Sequence, residues 1–320
     1  MKVKILYRSR TRVGTMLSSI SLILRRVSEH VFVIPYVRLE ELLPILLMLP
    51  LLVLSKSRVI IVSHDVHGLY RNPGIFWKLL TLLRGAYLSC LPNVYIVYVS
   101  RYSMVETLLL TKSKCIKSKG FVLYPISKDD IMHQESKIIY VAQRDVVVFS
   151  KISKMVDERF WSVLSRCINE GFTAKASRII VMGGGDDNNA RKLVNMLKRY
   201  DAYSKVELRL NVPNEIRDQI LGRAYLVIYP ESMEGLGMPC FEAVMKGTPV
   251  LSARRTALIE FVDPSIYSQS KILYPDFCLA LKRILEMSPE RLYQHVSQLK
   301  LTIIKVTLSE LKRILRSVSI

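Results

Sequence analysis

Closely spaced cysteines, the Asp-x-Asp spacing and apolar runs of membrane-spanning length are what this chain lacks. Its five cysteines, Cys90, Cys115, Cys167, Cys240 and Cys278, are odd in number, widely spaced and form no C-x-x-C. That spacing predicts neither a zinc site nor disulfides and points to a reducing compartment. No Asp-x-Asp occurs, so no carboxylate pair for a metal is expected, and no cofactor is implied. The one glycine run that follows a strand-like segment, Gly183-Gly184-Gly185, does not extend to G-x-G-x-x-G, so the dinucleotide fingerprint fails. Residues 42–55 are uncharged but contain Pro44 and Pro50. A bilayer span needs about 20 apolar residues, so this stretch reads as a buried helix and turn, with an interfacial patch as the alternative. The N-terminus, Met1-Lys2-Val3-Lys4-Ile5, returns to charge too soon for a signal peptide, and a cytoplasmic location, with membrane association left open, is expected.

What is present is basic and globular. Of 320 residues half are apolar, and 47 Lys and Arg against 27 Asp and Glu leave a net charge of +20. The length suits two domains. Such charge attracts anions: nucleic acid, acidic lipid headgroups or phosphorylated substrates. Zinc-finger spacing, an RNP-like aromatic motif and a basic heptad region are all lacking, so specific nucleic-acid binding is not expected, and a basic nucleic-acid-binding protein is kept as the alternative of another class. Contact with an anionic membrane surface stays open beside a merely solvated basic surface.

The stretch 229–250 organises the rest. An apolar run over 224–229, closed by Pro230, predicts a buried strand. Pro239 suits the start of a helix, where its missing N–H costs nothing. Lys246-Gly247-Thr248-Pro249 stops that helix with a cation, a glycine and a proline. Gly235 and Gly237 let the loop backbone approach a ligand. The amides of Met238, Cys240 and Phe241 would then face it, and a helix start of this kind holds anions, phosphate above all. Two carboxylates flank the anion site, Glu234 and Glu242, and suit sugar and ribose hydroxyls better than phosphate.

The segment Glu234-Gly235-Leu236-Gly237-Met238-Pro239-Cys240-Phe241-Glu242-Ala243, followed by Gly247-Thr248-Pro249-Val250, resembles the E-x7-E motif of retaining GT-B glycosyltransferases of family 4. The resemblance implies an α/β chain with two doubly wound, Rossmann-like domains facing a cleft. Residues 1–132 would form the acceptor-side domain and 138–300 the nucleotide-sugar domain, with a C-terminal helix over about 300–320 returning to the first. It also implies that Glu242 binds the donor ribose and that Glu234 meets the transferred sugar near its reacting carbon.

Elsewhere the likeness is looser. Residues 58–62 form a strong strand signal, and His64, just beyond, matches the strand-end histidine that faces the reacting sugar in many family members. A structural histidine is the alternative. The first strand, 2–7, leads into a loop with a single glycine, Gly14, among Arg8, Arg10 and Arg12, where the family has several glycines near the donor phosphate or the acceptor. The family's Gly-Arg pair after the first strand of the second domain is absent. Lys151 and Lys154 are the available cations there, able to bind phosphate as point charges. Ser100 can cap a helix beginning near residue 101. Further strands are predicted at 138–141, 146–150, 178–182 and 204–210, with helices at 159–169, 189–200, 214–221 and 290–320.

Transfer from a nucleotide-diphosphate sugar requires stabilising charge on the departing diphosphate, which helix amides and cations supply. The donor would be the co-substrate. The acceptor is left open among lipid-linked, glycan and protein classes. A glycosidase reading fails on distance: eight residues of helix rise about 12 Å, beyond the roughly 5–9.5 Å of such carboxyl pairs. A nucleotide-sugar-binding protein without turnover remains the nearer rival.

Overall fold

The computed structural model describes residues 3–5, 31–34, 58–63, 90–91, 93–112, 114–115, 120–126, 144–149, 158–230, 236–252 and 274–318. The chain divides into two compact units, Met1–Pro125 with Val306–Ile320, and Ile126–Lys305. Each carries one five-stranded sheet whose strands all pair in parallel.

In the first unit, β1 (Val3–Ile5), β2 (Val31–Ile34), β3 (Arg58–Ser63), β4 (Val94–Tyr98) and β5 (Gly120–Val122) lie in sequence order across the sheet. No reversal of direction occurs among these described strands. Helix α1 (Arg101–Thr111) follows β4, and its amide at Ser103 donates to Ser100 Oγ at 3.0 Å, the cap expected from the sequence. β5 would be a bare edge, a template for unwanted pairing. The last helix covers it. In α7 (Pro289–Val318), Glu310 accepts from the Val122 amide at 3.3 Å and Arg313 donates to the Gly120 carbonyl at 3.0 Å. Ile314 packs with Val97 and Phe121, and the Arg313 guanidinium sits 4.6 Å from the Phe121 ring centre.

The second unit reverses. Its sheet order is β10 (Val250–Ser252), β9 (Leu226–Tyr229), β6 (Asp145–Phe149), β7 (Arg178–Gly183), β8 (Glu207–Leu210). The chain runs outward from β6 to β8 and then returns to the other side of β6, which makes the β6–β9 boundary a topological switch point. β6 and β9, central and covered on both faces, are runs of buried Val, Leu and Ile. Helices α4 (Asn214–Arg223) and α5 (Met238–Met245) lie against the strands, and α2 (Glu158–Asn169), α3 (Asp187–Arg199) and α6 (Asp276–Glu286) share the core with them. Helix α2 buries Phe160, Leu164 and Cys167 on one stripe. Phe160 meets Trp161 and Phe277 edge-on, with ring centres 5.0 and 6.0 Å apart.

Four of the five cysteines are paired, contrary to the expectation from their count: Cys90 with Cys115, and Cys167 with Cys278. Both pairs have Cα atoms 5.2 Å apart, inside the range a disulfide spans. Spacing along the chain misleads here because partners 111 residues apart in sequence meet only through the packing of α2 on α6. The cysteine-based reason for a reducing compartment falls with it. Cys240 is buried and takes no part in a disulfide. The predicted strand at 138–141 and the uncharged stretch 42–55 lie outside the described residues. Among the described residues, no helix is long and apolar enough to cross a membrane.

Candidate functional site

The switch point locates the crevice of the second unit. β6 ends at Phe149 and β9 at Tyr229, and the chain after each strand carries the expected donor-binding positions. Lys151, Lys154, Glu234 and Gly235 lie outside the described residues, as do His64 and Gly14 in the first unit. His64 is the residue next after β3 in sequence. The structure describes the helix-side half of the site: Gly237, Met238, Cys240, Phe241 and Glu242.

Gly237 caps α5 with φ 68° and ψ 59°, left-handed backbone that a side chain disfavours. Its carbonyl accepts from the Cys240 amide at 2.9 Å and the Phe241 amide at 3.1 Å. These two amides are therefore spent inside the helix, which corrects the expectation that both face a ligand. The first turn has tightened into a shared acceptor, a common economy at helix ends. The side chains of Cys240 and Phe241 point into the core. Pro239 has no N–H. The cradle narrows to the Met238 amide, which has no acceptor among the described residues, beneath a Met238 side chain that stays exposed.

The other end of α5 is fixed firmly. Gly247, at φ 85°, closes the helix, its amide donating to Val244 O at 2.9 Å. Thr248 then donates its hydroxyl to Leu221 O in α4 at 2.6 Å from a buried position. This bond orients α5 against α4 and brings four charged side chains into one row. Lys246 Nζ is 3.2 Å from Asp218 Oδ2. Arg217 donates through Nε and Nη2 to Asp218 Oδ1 at 3.1 and 3.0 Å. The same Nη2 lies 3.5 Å from Glu242 Oε2. Burial pushes the Glu242 carboxyl above its ordinary range; Arg217 and Lys246 oppose the rise and Asp218 adds to it. Burial works in the same direction at Asp218, but hydrogen bonds from Arg217 and Lys246 outweigh it and hold that carboxyl low.

Arg217 and Asp218 were not visible as site residues in the sequence. They form no motif, and their place beside Glu242 depends on the packing of two helices. The glycine run after β7 proves to be occupied structurally. Asn211, itself left-handed at φ 54°, donates to Gly183 O and Gly185 O and accepts from the Gly185 amide. Among the described residues there is no cluster of three or more His, Cys, Asp or Glu that could hold a metal.

No family model matches the sequence, and no curated protein matches it by sequence alone. Solved structures do match in three dimensions. HepE from Anabaena, determined with UDP, aligns over 97% of this chain and 84% of its own at TM-score 0.66 and 13% identity. The fold is GT-B. A trehalose-6-phosphate structure from E. coli bound with UDP-2-fluoro glucose aligns at TM-score 0.66 and 10% identity, over 97% of this chain and 77% of that one. S. aureus TarM, in a complex containing UDP, aligns at 0.64 and 13% identity, over 95% of this chain and 59% of its own. This chain thus spans about three fifths of TarM, while sharing the GT-B arrangement of α/β elements.

Proposed function

We propose that this GT-B chain is a glycosyltransferase moving a sugar from a nucleotide-diphosphate sugar to an acceptor, without a metal and with retention of configuration. The observation that supports this reading most is Glu242 on the helix that follows a switch-point strand. It stands one turn beyond the Gly237 cap, with a carboxylate oxygen left for ribose hydroxyls. UDP is present with HepE and TarM, which makes a uridine nucleotide the first donor to try. In the proposed reaction Glu234 steadies the transferred sugar and His64 bonds one of its hydroxyls. The Met238 amide with Lys151 and Lys154 balances charge on the departing diphosphate, which takes the acceptor's proton. With one helix amide rather than three, the lysines carry more of that task.

The test is a thermal-shift panel of nucleoside diphosphates and nucleotide sugars on the full chain. A ligand at 100 times its Kd stabilises by about 2.7 kcal/mol, and a clear rise in Tm with UDP is expected. No shift with any nucleotide would remove the donor assignment. Glu234→Ala separates an enzyme from a non-catalytic binder: transfer should vanish while UDP still binds.

The acceptor side supports a membrane-bound or lipid-linked acceptor. On α1, Val105 and Leu109 are 44% and 65% exposed, one turn apart, between exposed Arg101 and Lys112. Apolar residues bracketed by cations suit an anionic bilayer surface. Co-sedimentation with anionic vesicles, weakened by Leu109→Glu, is expected; equal binding by that variant would count against this face.

A further inference from the structure

Arg217 belongs to no part of the site that the sequence offered, yet among the described residues it is the cation nearest to Glu242. The four side chains form a line of alternating charge, Lys246, Asp218, Arg217, Glu242, built from α4 and α5. Lys246 holds one oxygen of Asp218, and the other oxygen receives two hydrogen bonds from Arg217. That grip fixes the guanidinium plane. One nitrogen, Nη2, is then presented to Glu242 Oε2, while Oε1 has no partner among the described residues. The other elements packed against α5 are β9, ending in the buried Tyr229, and β10; neither strand contributes a charged group.

We propose that Arg217 is a positioning residue for the donor nucleotide, anchoring one oxygen of Glu242 so that the other is held ready for a ribose hydroxyl. This rests on the reading of Glu242 as the ribose ligand. The physical need is plain. Glu242 is half-buried, and burial favours its neutral form, which would present a donor where an acceptor is wanted. Removing Arg217 leaves the Asp218 charge, which raises the proton affinity of Glu242, opposed among the described residues by Lys246 alone. Nucleotide binding would then weaken as pH falls, because the proton and the ribose compete for the same carboxylate.

The experiment is calorimetric titration of the full chain with UDP at about pH 5.5, 6.5 and 7.5. Wild type, Arg217→Met, Arg217→Lys, Glu242→Gln and the Arg217→Met/Glu242→Gln double variant are compared, each first shown to unfold cooperatively. Arg217→Met is expected to lose roughly tenfold in affinity near neutrality, the scale of one charge-assisted contact. The loss should deepen toward pH 5.5, and Arg217→Lys should restore most of it. In the Glu242→Gln background the same substitution should cost almost nothing, since the two groups act as a unit. Arg217→Met matching wild type at every pH, or costing as much affinity in the Glu242→Gln background as it does with Glu242 in place, overturns the proposal while the donor reading stands. Wild-type affinity in Glu242→Gln overturns both, as does failure of wild type to bind UDP or any other nucleoside diphosphate.

Discussion

Position 242 shows how a residue proposed to bind a ligand can work against the fold that carries it. Its folded-state carboxyl is raised, so it contributes stability that is fully present below the ordinary carboxylate range and is lost as pH rises through the folded value. Glu242→Gln should therefore raise the melting temperature near about pH 7 and flatten the pH dependence above about pH 4, while weakening UDP binding by roughly tenfold. Thermal denaturation across that range, paired with calorimetry, checks both halves. Asp218, held low, has the opposite sign: its contribution is present above the ordinary carboxylate range and is lost on acidification through the folded value. Gly237 offers a cleaner test of backbone. Alanine there must adopt left-handed dihedrals at a cost of about 1–2 kcal/mol, visible as a lower denaturation midpoint. The capping glycine, the first-turn proline and the three helix-stop residues of α5 were legible in the sequence because each has a local cause. The spent amides of Cys240 and Phe241 were not, since whether a first turn closes on its cap is decided by geometry within one residue.

At the scale of elements, strands and helices of the second unit follow the hydrophobic pattern closely. β6, β7 and β9 begin or end within a residue or two of the apolar runs, and α2 and α3 differ from their periodic segments by similar margins. Helix α6, Asp276–Glu286, is the one the pattern did not single out, and with it the partner of Cys167. The tie between α2 and α6 closes a long loop, for which the chain-entropy account gives on the order of 4–5 kcal/mol. Cys167→Ser with Cys278→Ser should lower stability by a few kcal/mol, measured by denaturant titration under non-reducing conditions. Thiol counting on the unfolded, unreduced chain should find one reactive group, Cys240. Three or five would remove the pairing. Phe160→Ala, emptying the aromatic contact between the same two helices, should cost about 3–5 kcal/mol.

For the molecule as a whole, alternation of strand and helix in both halves was enough to indicate parallel sheets, because crossover helices and parallel pairing imply each other. Strand order was not legible. Nothing in an apolar run states which neighbour it will take, and the two units differ in this: one reverses at β6, the other runs in sequence among its described strands. Deleting residues 306–320 should strip cover from Phe121 and from the β5 edge, so proteolysis is expected to attack the first unit of the truncated protein before the second. Equal resistance in both units would show that the helix end contributes little.

The seating of that final turn also orders events on the ribosome. Translation emits about 5–20 residues each second, and the sheet begun by Val3 lacks its cover until Ile314 has been made. The later-encoded unit, whose residues form one uninterrupted segment, has everything it requires sooner. The sheet of the first unit is thus sealed later than that of the second, and truncation ahead of Ile314 should be felt there first.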